Sequence, residues 1–375
     1  MSTTFARTDH SVLGRWWWTV DRWMLMAIAL ISTIGVFLIQ AASPSVATRI
    51  GLDNFHFIQR HLLMLLPALA VMFIVSLLSP RGVRRFALLI YLLALVGTAL
   101  TLVVGVEIKG ATRWIHLPGM SVQPSEFLKP AFAVVAAWLF AKGRADGTRA
   151  PILAAAALYG LTASLLLMQP DLGMTFVLSA VWFGQFFLAG LPLLLVAVLV
   201  VFGVSGLAGA YFILPHVQSR VNRFLDPAAG DNYQIQRSLE AFGNGGLWGT
   251  GPGQGTVKMG IPDAHADFIF AVAGEELGLL WCLIIIALFT FVVLRGFGRI
   301  FQDQSLFVLL AGGGLLMQFG LQALINMASS LHMMPTKGMT LPFISYGGSS
   351  LIALGLGVGM VLALSRKRFG PGDTI

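Results

Sequence analysis

The feature that most constrains this chain is a recurrence. Stretches of about 18–25 mostly apolar residues return along its whole length, each long enough to cross roughly 30 Å of hydrocarbon as a helix. Inside a bilayer every backbone N–H and C=O must be paired within the protein, and runs of this length meet that demand as helices. They fall near 23–43, 62–79, 86–106, 124–141, 151–169, 173–190, 192–214, 267–294, 304–328 and 346–365. The spacing predicts an all-α polytopic membrane protein of ten transmembrane helices. Residues 1–22 lead into it, 23–365 form the helical domain and 366–375 are a tail. A composition 57% hydrophobic and 11% charged excludes an ordinary soluble domain.

The net charge of +8 invites a nucleic-acid partner, but no basic run exceeds Arg366-Lys367-Arg368 and the cations gather at the ends of apolar runs. They read as topology signals, and no nucleic acid is expected. A cytoplasmic N-terminus puts Arg7, Arg15, Arg22, Arg81, Arg84, Arg85, Lys142, Arg144, Arg149, Arg295, Arg299 and the C-terminal cluster inside, leaving Arg49, Arg60, Lys109, Arg113 and Lys337 in the short outside loops. Both termini are then cytoplasmic. No small-residue cleavage site follows Arg22, which argues against a removed signal peptide. The lone Cys282 allows no intramolecular disulfide.

This topology places a long polar loop, 215–266, outside the membrane between the seventh and eighth helices. It carries Arg220, Arg223, Arg237, Lys258, Asp263 and His265, with Asp267 at the mouth of the next helix. Its Phe224, Tyr233, Phe242 and Trp248 argue against a disordered linker. Seven glycines between 243 and 255 let the backbone approach a ligand closely, although GTGPGQG lacks the Lys-Ser/Thr of a nucleotide loop. No metal-ligand spacing of Cys and His occurs. Cations facing carboxylates suit a lipid-linked diphosphate and equally a solvated surface.

Three further features lie within the helices. Glu126 and Lys129 stand at i and i+3, where they can pair, and mark either a functional interior or a structural lock. Counting from Asp267 at the start of the eighth helix, Glu275 lies about 80° round and Glu276 nearly opposite, so Glu275 shares the cavity and Glu276 packs elsewhere. Gln318, Gln322 and Asn326 form a polar stripe, read as interhelical glue.

The motifs GATRWIHLPGMSVQPSEFLKP (110–130), QPDLG (169–173), NRFLDP (222–227), YQIQRSLEAFGNGGLWGTGPGQG (233–255), IPDAHADFIFAVAGEELG (261–278) and MPTKGMTLPFISYGGSS (334–350) together resemble the SEDS family (shape, elongation, division and sporulation). The last motif is more similar to its division branch than to its elongation branch. The resemblance implies ten transmembrane helices and a peptidoglycan glycosyltransferase that polymerises lipid II at the outer face of the inner membrane. The family's essential aspartate falls on Asp267. Trp114, Glu126, Lys129, Arg220, Arg223, Gln234, Lys258, His265 and Ser345 are the substrate-binding candidates. Where the family shows Pro-Glu-Ala-His-Thr-Asp, this chain has Pro-Asp-Ala-His-Ala-Asp, which bears on positions 263 and 266 and leaves Asp267 intact.

The mechanism so implied has Asp267 take a proton from the 4-hydroxyl of one lipid II as it attacks the anomeric carbon of the donor and expels undecaprenyl diphosphate. Arg220, Arg223, Lys129 or Lys258 would neutralise the leaving group, with a divalent cation (Mg or Mn) left open. A lipid II flippase and a non-catalytic division scaffold are the alternatives. The expected partners are a class B penicillin-binding protein transpeptidase and other division proteins at the septum. Gly203, Gly206 and Gly209 offer a small-residue face for its helix, or for internal packing.

Overall fold

The computed structural model describes residues 11–108, 111–117, 120–190, 193–213, 215–225, 233–335 and 338–367. Each apolar run of the sequence is helical. A short helix α1 (Val12–Thr19) precedes α2 (Arg22–Arg49), α3 (His56–Ser76), α4 (Pro80–Val104), α5 (Pro124–Asp146), α6 (Ala150–Met168), α7 (Leu172–Leu188) and α8 (Leu193–Ile213). Then come α9 (Pro215–Leu225), α10 (Tyr233–Gly245), α11 (Ile269–Ile300), α12 (Leu306–Ser330) and α13 (Gly348–Leu364). Among the described residues, α2, α3, α4, α6, α11 and α12 are each long and apolar enough to cross a membrane. The chain is a mostly helical, multi-pass membrane protein.

Two expectations change. The chain is not purely helical, because β1 (Val106–Ile108), β2 (Ala111–Leu117) and β3 (Met120–Val122) form an antiparallel sheet in the order β1-β2-β3. The third apolar run was extended to 106, but α4 stops at Val104, where Gly105 turns the backbone extended. Val106, Ile108, Thr112, Ile115 and Val122 are β-branched residues that favour the pleated conformation beyond it. The interval 215–266 is also more ordered than a loop, holding α9, α10 and a 3-10 turn, Val257–Gly260.

Glycines allow helices to cross in close contact. A Cβ on Gly355 would lie 2.2 Å from the Ala68 carbonyl and one on Gly359 2.7 Å from that of Met72, so α13 and α3 meet backbone to backbone. The Gly355-x-x-x-Gly359 spacing carried that signal in the sequence. By contrast, a Cβ at Gly203, Gly206 or Gly209 of α8 meets nothing within 4 Å among the described residues.

At the end of the bundle nearest both chain termini, buried Asp21 caps α2 by accepting from the Met24 amide (3.1 Å) and pairs with Arg295 (2.9 Å) and Arg299 (2.6 Å). Burial alone would raise its pKa, but the hydrogen bonds from Arg299, Met24 and Arg295 outweigh it and hold the carboxyl below its ordinary value.

Candidate active site

Asp267 does not begin a helix, as its position in the apolar run predicted. α11 starts at Ile269, and Asp267 sits on the preceding turn, whose Ala266 and Phe268 amides bond back to the Asp263 carbonyl at 3.1 and 3.3 Å. Angles counted from it along a helix therefore do not apply. The turn is held from outside by side chains. Asn326 Nδ2 of α12 donates to the Asp267 carbonyl (2.9 Å) and to the Met339 carbonyl (2.7 Å). Ser345 Oγ donates to the Ala266 carbonyl and accepts from the Leu341 amide, each at 2.7 Å, while the Tyr346 amide donates to the His265 carbonyl at 2.9 Å. These bonds weld residues 339–346 to residues 265–267. The Asp267 side chain is half-buried, and a Cβ added to Gly338 would stand 3.3 Å from its Oδ2.

One turn along α12, Gln322 Nε2 donates to the Thr340 carbonyl (3.0 Å) and its Oε1 accepts from Lys129 Nζ (3.3 Å). Lys129 is paired with Glu126 at 2.9 Å, so the expected i, i+3 contact forms, and Lys129 is buried. The amide stripe thus does more than join helices. It ties the Glu126–Lys129 pair and the Asp267 turn to one non-helical segment.

Glu275 is placed otherwise than expected, while Glu276 packs elsewhere, as its angle along the helix implied. Glu275 does not share the Asp267 cavity, because its carboxylate accepts from the Val257 amide (2.8 Å), the Lys258 amide (2.7 Å) and Asn244 Nδ2 (2.9 Å). Glu276 binds the ammonium of Lys258, which also donates to the Ala41 carbonyl of α2 at 2.9 Å. Lys258, a candidate for the diphosphate, is only 2% exposed and is tied to the protein.

The glycine-rich segment serves the same clamp. Gly278 breaks α11 with φ 79°, which only glycine adopts readily. Across the break the Leu279 amide donates to the Gly246 carbonyl (2.9 Å), and the Thr250 and Gly251 amides donate to the carbonyls of Glu275 (2.9 Å) and Glu276 (3.0 Å). A Cβ on Gly249 would fall 2.1 Å from the Glu276 carbonyl oxygen. The backbone these glycines approach is that of α11.

His265 is buried, its ring 4.1 Å from that of Phe57 and 5.3 Å from that of Tyr346. Burial pushes its pKa down to about 4, with Asp263 opposing, so it is neutral at pH 7 and supplies no cation. Trp114 lies half-buried on β2, opposite Val106. Its neighbour Arg113 pairs with Asp171 at 3.2 Å and donates to the Pro170 carbonyl at 2.7 Å, docking the first motif on QPDLG. That contact was missed, although the charges of the two motifs carried it. Gln234 is half-buried on α10. Arg220 and Arg223 belong to α9, and their side chains lie outside the described residues. Among the described residues no three His, Cys, Asp or Glu side chains gather in a group that could hold a metal ion.

The cell cycle protein family of FtsW, RodA and SpoVE matches residues 21–369. The chain is 47% identical over 367 residues to a probable peptidoglycan glycosyltransferase FtsW of Caulobacter vibrioides, covering 98% of this chain and 94% of that one. It is 36% identical to the protein of the same name from Tolumonas auensis, over 90% of each. Among solved structures it is similar to a chain from work on the coordination of polymerization and crosslinking by a peptidoglycan synthase complex. There the TM-score is 0.77 at 29% identity, covering 92% of this chain and 97% of that one. The rod shape determining protein RodA of Thermus thermophilus superposes with a TM-score of 0.64 at 27% identity, over 93% of this chain and 97% of its own. With the match running through the Asp267 turn and both segments that clamp it, the chain belongs to the FtsW/RodA, or SEDS, family of cell cycle proteins.

Proposed function

We propose that this chain is a peptidoglycan glycosyltransferase of the FtsW kind, polymerising lipid II during cell division with Asp267 as the general base. The activity follows from the name its relatives carry over nearly the whole of both chains. The role of Asp267 rests on one observation: a half-buried carboxyl on a turn whose main chain is fixed by Asn326 and Ser345. A base so held is positioned before substrate arrives, and general-base assistance is typically worth on the order of 10²–10⁴-fold.

In the reaction the acceptor 4-hydroxyl attacks the anomeric carbon of the donor, the bond to the diphosphate breaks with inversion, and the hydroxyl proton passes to Asp267. A β-1,4 linkage and undecaprenyl diphosphate result. Lys129 and Lys258 are engaged within the protein, so the leaving-group charge falls to Arg220 and Arg223 of α9. All ten helices over the apolar runs cross the membrane, both termini are cytoplasmic, and α9 and α10 lie outside between the seventh and eighth crossings. The partner is a class B penicillin-binding protein. The similarity to a chain of a peptidoglycan synthase complex supports a partner, and the α8 glycines, which meet nothing within 4 Å among the described residues, suit close approach of a membrane helix.

A flippase would need its buried charges to line a path. Glu275 instead holds two loop amides, and Glu126 is closed on Lys129. The test is lipid II polymerisation by purified wild type and Asp267→Asn, each with the transpeptidase and with thermal midpoints measured in parallel. Glycan strands from a stably folded Asp267→Asn protein would overturn the base assignment.

A further inference from the structure

α1 has no part in the site, yet it is tied into the bundle where several apolar helices end together. Trp16 Nε1 donates to Ser76 Oγ at the last residue of α3 (2.8 Å), and its ring meets Phe73 edge-on at 4.9 Å. Thr19 accepts from the Lys367 amide (3.1 Å) and from Arg366 Nε (2.9 Å), just past the end of α13. Asp21, immediately after, is fixed by Arg295 and Arg299 at the end of α11. A helix pinned at once to the ends of three apolar helices lies at the level of the bilayer surface.

What it presents there is both apolar and basic. Val12, Leu13, Trp17 and Trp18 are exposed, as is Arg15. Arg22 lays its guanidinium over the Trp17 ring at 4.7 Å and the Trp18 ring at 4.8 Å. Asp21 is buried and committed to two arginines, so among the described residues the exposed face carries positive charge only. Amphipathic tryptophan rings settle at the headgroup level, and cations beside them attract anionic lipid.

We infer that α1 and Arg22 form a binding site for the phosphodiester headgroup of an anionic phospholipid, with Arg15 and Arg22 as the cationic contacts and Trp17 and Trp18 as the wall at the acyl boundary. The site is independent of the catalytic reading and of which leaflet α1 faces. It is charge-dependent, so added salt weakens it.

The full-length protein in a neutral detergent is titrated with short-chain phosphatidylglycerol, with phosphatidylcholine of the same chain length, and with inorganic phosphate. Saturable binding of phosphatidylglycerol alone is expected. Each surface cation contributes about a fivefold gain, so Arg15→Gln should weaken binding about fivefold and Arg15→Gln/Arg22→Gln about thirtyfold. Arg15 is exposed, so its single variant folds even where the double one fails. Equal binding of both lipids, equal competition by free phosphate, or an Arg15→Gln protein that keeps its affinity would overturn the site. A tryptophan face reserved for a protein partner would give no lipid binding at all, which overturns it too.

Discussion

Replacing Lys258 by methionine separates a structural cation from one that works on substrate. In the wild type its ammonium lies against the carboxylate of Glu276, both residues at most 2% exposed, with a further bond to the Ala41 carbonyl at 2.9 Å. Lys258→Met strands the Glu276 carboxylate in an apolar interior, and removing one partner of a buried pair costs about 3–5 kcal/mol. Glu276→Leu strands the ammonium and should cost about as much. The double variant strands neither charge. A well-packed apolar replacement of a buried pair is often neutral, and the lost bond to Ala41 is worth about 1 kcal/mol. Lys258→Met/Glu276→Leu should therefore lie within about 1 kcal/mol of wild type, with a coupling energy of at least about 3 kcal/mol across the cycle. Unfolding of all four proteins in one detergent measures this, and lipid II polymerisation per folded molecule measures function. If Lys258 only anchors the 245–260 segment, the double variant polymerises at the wild-type rate. A double variant that is stable but inactive, or a single one that loses no stability, would refute the argument.

Other outcomes follow from the same geometry. Asn326→Ala removes both donors that join the Asp267 and Met339 carbonyls, so turnover should fall about a hundredfold through misplacement of the turn while KM stays near wild type, as initial rates over a range of lipid II would record. Gly278→Ala puts a Cβ 2.4 Å from the Gly249 nitrogen at φ 79° and should destabilise by about 3 kcal/mol, read as a lowered thermal midpoint. His265 has its folded pKa lowered by burial from 6.5 to about 4, so the unfolded chain binds the proton more readily. Its stabilising contribution is complete above pH 6.5 and is lost as pH falls toward 4, amounting to at most about 3 kcal/mol. His265→Gln should flatten the stability profile over that window relative to wild type.

Much of the helical frame was legible because apolar length is a one-dimensional signal that bilayer thickness imposes directly. The sheet at 106–122 was not, since its strands are too short for alternation to stand out beside an apolar helix, and Gly105 is the local mark of the change. The site was legible in its residue types more than in its geometry. The Glu126–Lys129 pair follows from helical spacing alone. The places of Glu275 and Glu276 depend instead on a segment some twenty residues earlier folding back onto α11, which no count along that helix contains. Asp267 was misplaced by two residues for a related reason. An apolar run signals burial, whereas the start of a helix depends on which amides find partners outside it.

The links around Asp267 are made by amides and hydroxyls, and the bilayer gives a reason. A charge in a membrane interior is costly and must be closed locally, as Lys129 is on Glu126. A second charge used to span from the Lys129 pair to the Asp267 turn would add that cost and set a further charge beside the Asp267 carboxyl. A carboxamide donates and accepts while carrying no net charge. Gln322 accepts from Lys129 and donates to Thr340, and Asn326, one turn on, holds the carbonyls of Asp267 and Met339. The turn is thus fixed through its backbone, an arrangement that a fully helical Asp267, bonded only within its own ladder, would not provide.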